Sequence, residues 1–147
     1  MKISFFLVLS CFFALETVAQ EVSDYLSENI SSFTLLVQGI NKAEGELRIA
    51  MFNSKDDYTK EPVYAVVLPV ADEKVEWRVP DLPFGEYAIA VYHDKNTNGK
   101  LDTNFLGIPK EDYGFSNNAR GKFGPASWED AKFSVSESTF THQIIIN

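Results

Sequence analysis

The sequence is poor in the residues that build redox, zinc and nucleic-acid chemistry. It has one cysteine, Cys11, and two histidines, His93 and His142, in 147 residues. Zinc sites draw on several Cys or His ligands, and so few scattered candidates argue against one. Basic charge is short as well, with 13 Lys and Arg against 21 Asp and Glu, a formal net charge of -8. Nucleic-acid binding rests on clustered positive charge, so no nucleic-acid partner is expected. There is no internal repeat, no low-complexity tract and no long amphipathic helical period. No apolar run reaches the roughly 20 residues that a membrane-spanning helix needs.

The longest apolar run, Ile3 to Leu15, follows Lys2 and precedes Thr17-Val18-Ala19. A basic residue, a short apolar core and small residues at the cleavage position read as a secretory signal peptide over residues 1–19. Cys11 sits inside that run, with too little apolar sequence before it for a lipoprotein cysteine, and would be removed with the leader. The expected product is secreted or periplasmic, has no membrane span after leader removal, and is free of disulfides. Residues 20–32 are polar and read as a flexible lead-in, and residues 33–147 as one domain of ordinary size.

That domain reads as all-β. Leu47, Ile49 and Met51 alternate with polar or small neighbours, as do Val75, Trp77 and Val79. Tyr87, Ile89, Val91 and His93 share one face of the next segment, while small Ala88 and Ala90 lie on the other, where a neighbouring layer can approach closely. Trp128 to Val135 alternates through Ala131, Phe133 and Val135, and the last segment through Phe140, His142, Ile144 and Ile146. With Phe33–Gly39 and Val63–Val70 this makes about seven short strands joined by turns, an antiparallel β-sandwich, with a barrel as the alternative. Residues 103–125 show no period, and their glycines and prolines interrupt them repeatedly. Phe105, Leu106, Ile108, Tyr113, Phe115 and Phe123 within them argue for a packed, ordered loop rather than disorder.

The most specific motif is His93-Asp94-Lys95-Asn96-Thr97-Asn98-Gly99-Lys100-Leu101-Asp102. Oxygens at Asp94, Asn96, Asn98 and Asp102, with the Lys100 carbonyl, recur at the spacing of a Ca²⁺ loop, which collects about six to eight oxygens. Phe105 stands where an EF-hand loop carries its bidentate glutamate, and a strand rather than a helix leads in. The competing reading is an Asx-rich turn whose side chains bond their own backbone. A second candidate, for a protein, peptide or carbohydrate ligand, comprises His93, Tyr113, Phe115, Ser116, Asn117, Asn118 and Arg120. Its structural counterpart is that the aromatics anchor the loop and the amides satisfy its backbone, with Arg120 pairing with Glu111 or Asp112. A Ser116–His93–Asp triad lacks any nucleophile elbow around the serine.

Asp81-Leu82-Pro83-Phe84-Gly85-Glu86-Tyr87 resembles the D-L-P-x-G-x-Y hairpin of transthyretin-like sandwiches, among them carboxypeptidase regulatory-like domains and Cna-B-type adhesin repeats. Gly45–Asn53, Tyr87–Asp102, Gly107–Glu111, Tyr113–Arg120 and Phe123–Pro125 together resemble the bacterial secreted family catalogued as domain of unknown function 2141. That resemblance implies an exported single-domain sandwich and no particular activity. The expected function is a non-catalytic binding or structural module, stabilised by Ca²⁺ in the Asp94–Asp102 loop. The alternatives are a small extracytoplasmic hydrolase using His93 and the loop carboxylates, and an envelope-assembly partner.

Overall fold

A computed structural model describes residues 29–147, together with Val18. The leader, Cys11 and most of the lead-in lie outside the described residues. Eight strands run β1 (Ile30–Gln38), β2 (Glu46–Phe52), β3 (Tyr64–Pro69), β4 (Val75–Pro83), β5 (Gly85–Asp94), β6 (Tyr113–Phe115), β7 (Phe133–Val135) and β8 (Thr139–Ile145). The smaller sheet is ordered β4-β1-β8, and the larger one β3-β2-β5-β6, with β7 also paired to β5. All pairings are antiparallel except β1 with β8, which run parallel.

The alternation read in the sequence becomes the space between the sheets. Phe33, Leu35 and Val37 from β1 meet Leu47, Ile49 and Met51 from β2 and Tyr87, Ile89 and Val91 from β5 in one core, which Val79, Phe133, Val135 and Ile144 extend. Every second residue of a strand points to the same face, so a six-residue strand supplies three core side chains. β1 begins at Ile30, so Ile30–Ser32 belong to a strand rather than to the lead-in. β4 runs on to Pro83, because a register shift between Ser31 and Phe33 lets Leu82 return to the core after Pro80 and Asp81. Phe84 alone then separates β4 from β5, a tighter connection than a turn over Asp81–Gly85.

Two elements differ from the sequence reading. Tyr113–Phe115 forms a strand inside the long loop, a three-residue run too short to show a period. Trp128–Ala131, expected as the start of a strand, is a single helical turn, α1. Ser127 caps it, its hydroxyl accepting from the Asp130 N–H at 3.2 Å. Ser-x-x-Asp ahead of the turn was the readable signal, an N-cap followed by acidic residues in the first turn.

This turn matters because it covers the outer face of the larger sheet. Trp128 and Ala131 pack with Phe52, Tyr58, Ala88, Phe115 and Ala126 into a second apolar cluster. Tyr58 comes from the charged connection after β2, and its ring meets Phe52 and Trp128 edge-on at 5.4 and 5.7 Å. Burial pushes the Tyr58 hydroxyl up to about 12. The close approach anticipated over Ala88 is therefore made by a loop and a helical turn. Replacing Ser127 with Ala is expected to lower unfolding free energy by about 0.5–2 kcal/mol in denaturant titrations, the usual cost of losing an N-cap. A strand at Trp128 would leave stability unchanged.

Candidate functional site

The outer face of the larger sheet is built in cross-strand rows. Ala65, Ala50, Ala90 and Phe115 are neighbours across β3, β2, β5 and β6. One step along, Val67, Arg48, Tyr92 and Tyr113 form the next row, and beyond it Pro69, Glu46 and Asp94. Three successive alanines leave nothing above Cβ, so the first row is a trough. Val67, Arg48 and Tyr92 wall one side, Phe52 and Thr59 stand opposite, and Phe115 and Pro125 close the end. The cavity measures about 460 Å³, within the range of about 300–1,000 Å³ for small-molecule sites, and its lining is largely apolar, as such sites are.

Arg48 joins this trough to the oxygen-rich loop. Its Nε donates to Asp94 Oδ2 at 3.0 Å, and its Nη2 donates to Glu46. Asp94 ends β5 on the outer face, fully buried beneath its own loop. Its Oδ2 also accepts the Gly99 N–H at 2.7 Å, and its Oδ1 the Asn98 N–H at 3.0 Å. Burial by itself would raise the Asp94 pKa, but the N–H groups of Gly99 and Asn98 and the Arg48 guanidinium outweigh it and hold the carboxyl below its ordinary value. Gly99 adopts φ +80°, a backbone conformation that favours glycine, while a Cβ there would only reach ordinary contact distance, 3.4 Å, from Arg48 Nη2.

The remaining loop closes on itself. Asn96 Oδ1 accepts from Asn98 N–H and Asn98 Oδ1 from Lys100 N–H, the two Asx turns that the spacing allowed. Asn96 Nδ2 donates to Asp102 Oδ2 at 2.6 Å, and Asn98 Nδ2 reaches both Asp102 oxygens at 3.1 and 3.2 Å. Where Phe105 breaks the EF-hand pattern, Glu111 does the closing. Nearly buried, it accepts from Lys95 N–H and Asp102 N–H, each at 3.0 Å. Sequence reasoning offered Glu111 as a partner for Arg120 or a further oxygen near the loop and did not see this closure, because the hairpin that returns it to Lys95 is not visible in spacing. Among the described residues no three His, Cys, Asp or Glu side chains group to hold a metal, so a cation here would depend on amide and carbonyl oxygens as well.

The second candidate group is dispersed. His93 is fully buried on the core face, its Nε2 2.7 Å from Glu44 O. Ser116, also fully buried, accepts from Ile89 N–H at 2.9 Å and donates to Ala131 O at 2.5 Å, tying β5 to α1. Asn117, at φ 59°, donates through Nδ2 to Asp130 O and Lys132 O, and its N–H donates to His142 Nε2. Asn118 Oδ1 accepts from Ile145 N–H. Arg120 lies over the Tyr113 ring, 5.4 Å from its centroid, and donates to Tyr113 O and Asn147 rather than pairing with Glu111 or Asp112. Of this group only Phe115 lines the trough. Sequence reasoning missed Ala50, Ala65 and Arg48 as site residues; β2 and β3 carry one outward alanine each, and only the register between strands aligns them with Ala90.

Asp94 supplies a prediction with a defined sign. Its folded pKa is depressed below 3.8, so its stabilisation is present above that value and is lost as pH falls through the folded pKa. Thermal midpoints should therefore drop on acidification below about pH 4. Asp94→Asn should lower the midpoint at neutral pH and flatten this part of the acid limb; an unchanged profile would show that the carboxylate holds nothing.

No curated protein and no solved structure matches the chain. A family model described as "Uncharacterized protein conserved in bacteria (DUF2141)" matches residues 35–143, which run from β1 through β8 and include the loop, the trough and the second cluster. The chain belongs to that family.

Proposed function

We propose that this protein is an exported, non-catalytic binding module whose ligand lies in the trough over Ala65, Ala50 and Ala90. One observation carries the reading: a cavity of about 460 Å³ opens on a sheet face that is otherwise covered by packed side chains. Its occupant is a small, uncharged, apolar or aromatic molecule. Arg48 is the cationic group at the trough, and it is bonded to two carboxylates, Glu46 and Asp94. Their formal charges sum to -1, so an anionic ligand gains no attraction there. Tyr92 and Thr59 present hydroxyls at the walls. Burial raises the Tyr92 pKa; Arg48 opposes the rise, and the acids Asp94, Glu111 and Glu46 add to it, so this hydroxyl keeps its proton and can donate.

The non-catalytic part of the reading is supported by how the candidate acid–base groups are used. His93 has no exposed edge, Asp94 accepts three bonds, and both Glu111 oxygens are engaged with backbone N–H groups. A general base needs to reach its substrate within hydrogen-bond distance. Export rests on the leader-like sequence of residues 1–19.

The neutral fluorophore N-phenyl-1-naphthylamine tests the trough. Saturable, one-to-one fluorescence enhancement is expected, weakened at least about tenfold by Ala90→Leu or Ala50→Leu, which fill the floor without touching the core. No saturable binding, or binding indifferent to both substitutions, would remove the trough from consideration.

Calcium is a second reading, favoured by the meeting of Asn96, Asn98 and Asp102 side chains at the loop's exposed mouth. Turning the two amides would present oxygens to an ion beside Asp102, Asp94 Oδ1 and the Lys100 carbonyl, a donor set suited to a hard cation, which must outweigh the loss of the Asx-turn bonds to the Asn98 and Lys100 N–H groups. The melting temperature should then rise in millimolar Ca²⁺ relative to EDTA, and Asp102→Ala should cancel the rise. Equal midpoints with and without calcium would reject it.

A further inference from the structure

The segment that covers the outer face of the larger sheet is fastened through a turn with an unusual backbone. Asn117 and Asn118 follow one another at φ 59° and 51°, in the left-handed region that asparagine tolerates better than most residues. Bonds to α1 and β8 hold the turn there. Asn117 Nδ2 donates to Asp130 O at 3.0 Å and Lys132 O at 2.8 Å, and Asn118 Oδ1 accepts from Ile145 N–H at 2.9 Å. Asn117 N–H donates to His142 Nε2 at 3.1 Å.

Only the last of these bonds depends on a proton. A backbone N–H can only donate, so His142 offers Nε2 as a lone pair and carries its one proton on Nδ1. A second proton would go to Nε2 and set a donor against a donor. The ring also stacks on Phe133, with centroids 4.2 Å apart and planes 13° from parallel, and an aromatic face receives imidazole and imidazolium alike. His93 differs, because its Nε2 lies 2.7 Å from Glu44 O, a bond that the ring donates and protonation leaves in place.

We propose that His142 is an acid-released latch on this segment: its neutral ring holds the turn Ser116–Asn118, and protonation frees the turn and the end of α1 that the turn grips. The ring is packed by β7 through Phe133, by Phe140 of its own strand, by the turn and by β1, where Leu35 is its register partner. None of these elements carries another titratable side chain. Next to them, Tyr87 behind Phe133 donates to Pro83 O, Lys132 pairs with Glu86 and Glu129, Asp130 accepts the Ser127 hydroxyl, and Glu137 is exposed. Burial therefore acts alone on the imidazole and lowers its pKa below the ordinary 6.5. The unfolded chain takes up this proton first, so the latch's stabilisation is present above pH 6.5 and lost as pH falls through the lower folded value. Phe115, next to the turn, closes the end of the trough, so an open latch also loosens a bound ligand. That consequence rests on the trough being the ligand site; the latch does not.

Amide hydrogen exchange, followed by NMR in the full-length protein, tests the latch. Between about pH 7.5 and about pH 4.5, protection of the Asn117, Ala119 and Ile145 amides, corrected for intrinsic exchange, should fall at least about tenfold, while Ile49 in β2 stays protected. His142→Gln supplies a side-chain oxygen that accepts from Asn117 N–H and does not titrate, and should keep the protection at both pH values. His142→Phe keeps the stack without an acceptor, and should show low protection at both. N-phenyl-1-naphthylamine should dissociate faster at the lower pH from the wild-type chain but not from His142→Gln. A probe that binds at neither pH removes the trough, and the amide measurement still decides the latch. Protection unchanged by acid in the wild-type chain, or an acid loss that persists in His142→Gln, would overturn the proposal.

Discussion

The carboxylate of Asp94 is the point on which the outer face depends. A fully buried charge is unfavourable unless it is paired and hydrogen-bonded. Here Arg48 from β2 and the N–H groups of Asn98 and Gly99 satisfy it together. Each partner is committed in turn. Arg48 is held upright at the wall of the trough, and the backbone after β5 is forced back over its own strand end. Glu111 repeats the device at the loop's other side, using both oxygens to join Lys95 and Asp102. A segment rich in glycine and amides thereby becomes a rigid mount for the hairpin that follows.

The larger sheet uses its two faces differently. The inner face is a continuous apolar core of β-branched, aliphatic and aromatic side chains. On the outer face, small residues let the second layer come close over Ala88, where Tyr58 and Trp128 pack, and leave the trough where no layer covers Ala65, Ala50 and Ala90. The same substitution of alanine for larger strand residues thus yields a packed contact in one place and a cavity in the next. What decides between them is how far the segment from Ser116 to Lys132 reaches, and Ser116 and Asn117 set that reach through their bonds to Ile89, Ala131, Asp130 and Lys132.

Much of this was legible beforehand. Period-two alternation identified the core faces of β2, β5 and β8, because each strand has one face buried between sheets and a slip of one residue would expose it. The Asp-x-Asn-x-Asn-Gly spacing announced a tight loop with Asx turns, since those bonds span only two to five residues and are local. The parallel pairing of β1 with β8 joins residues more than 100 positions apart, as Leu35 with His142, and no local pattern encodes it. Ser116, Asn117 and Asn118 read in the sequence either as part of a ligand surface or as groups that satisfy the loop's backbone; the backbone groups they bond come from β5, α1 and β8, which no local spacing reveals.

By itself, then, the sequence determined the strands, their buried faces, the family and the loop's internal turns, all consequences of interactions between near neighbours or of simple alternation. Only the tertiary structure decided that Arg48 answers Asp94, that Glu111 closes the loop, that three alanines from three strands line up into a trough, and that Phe105, Leu106 and Ile108 face outward. These depend on register between strands and on which surfaces remain uncovered. Hydrophobicity tells a side chain to seek burial, but whether a neighbour arrives to bury it is settled by the packing of the whole chain.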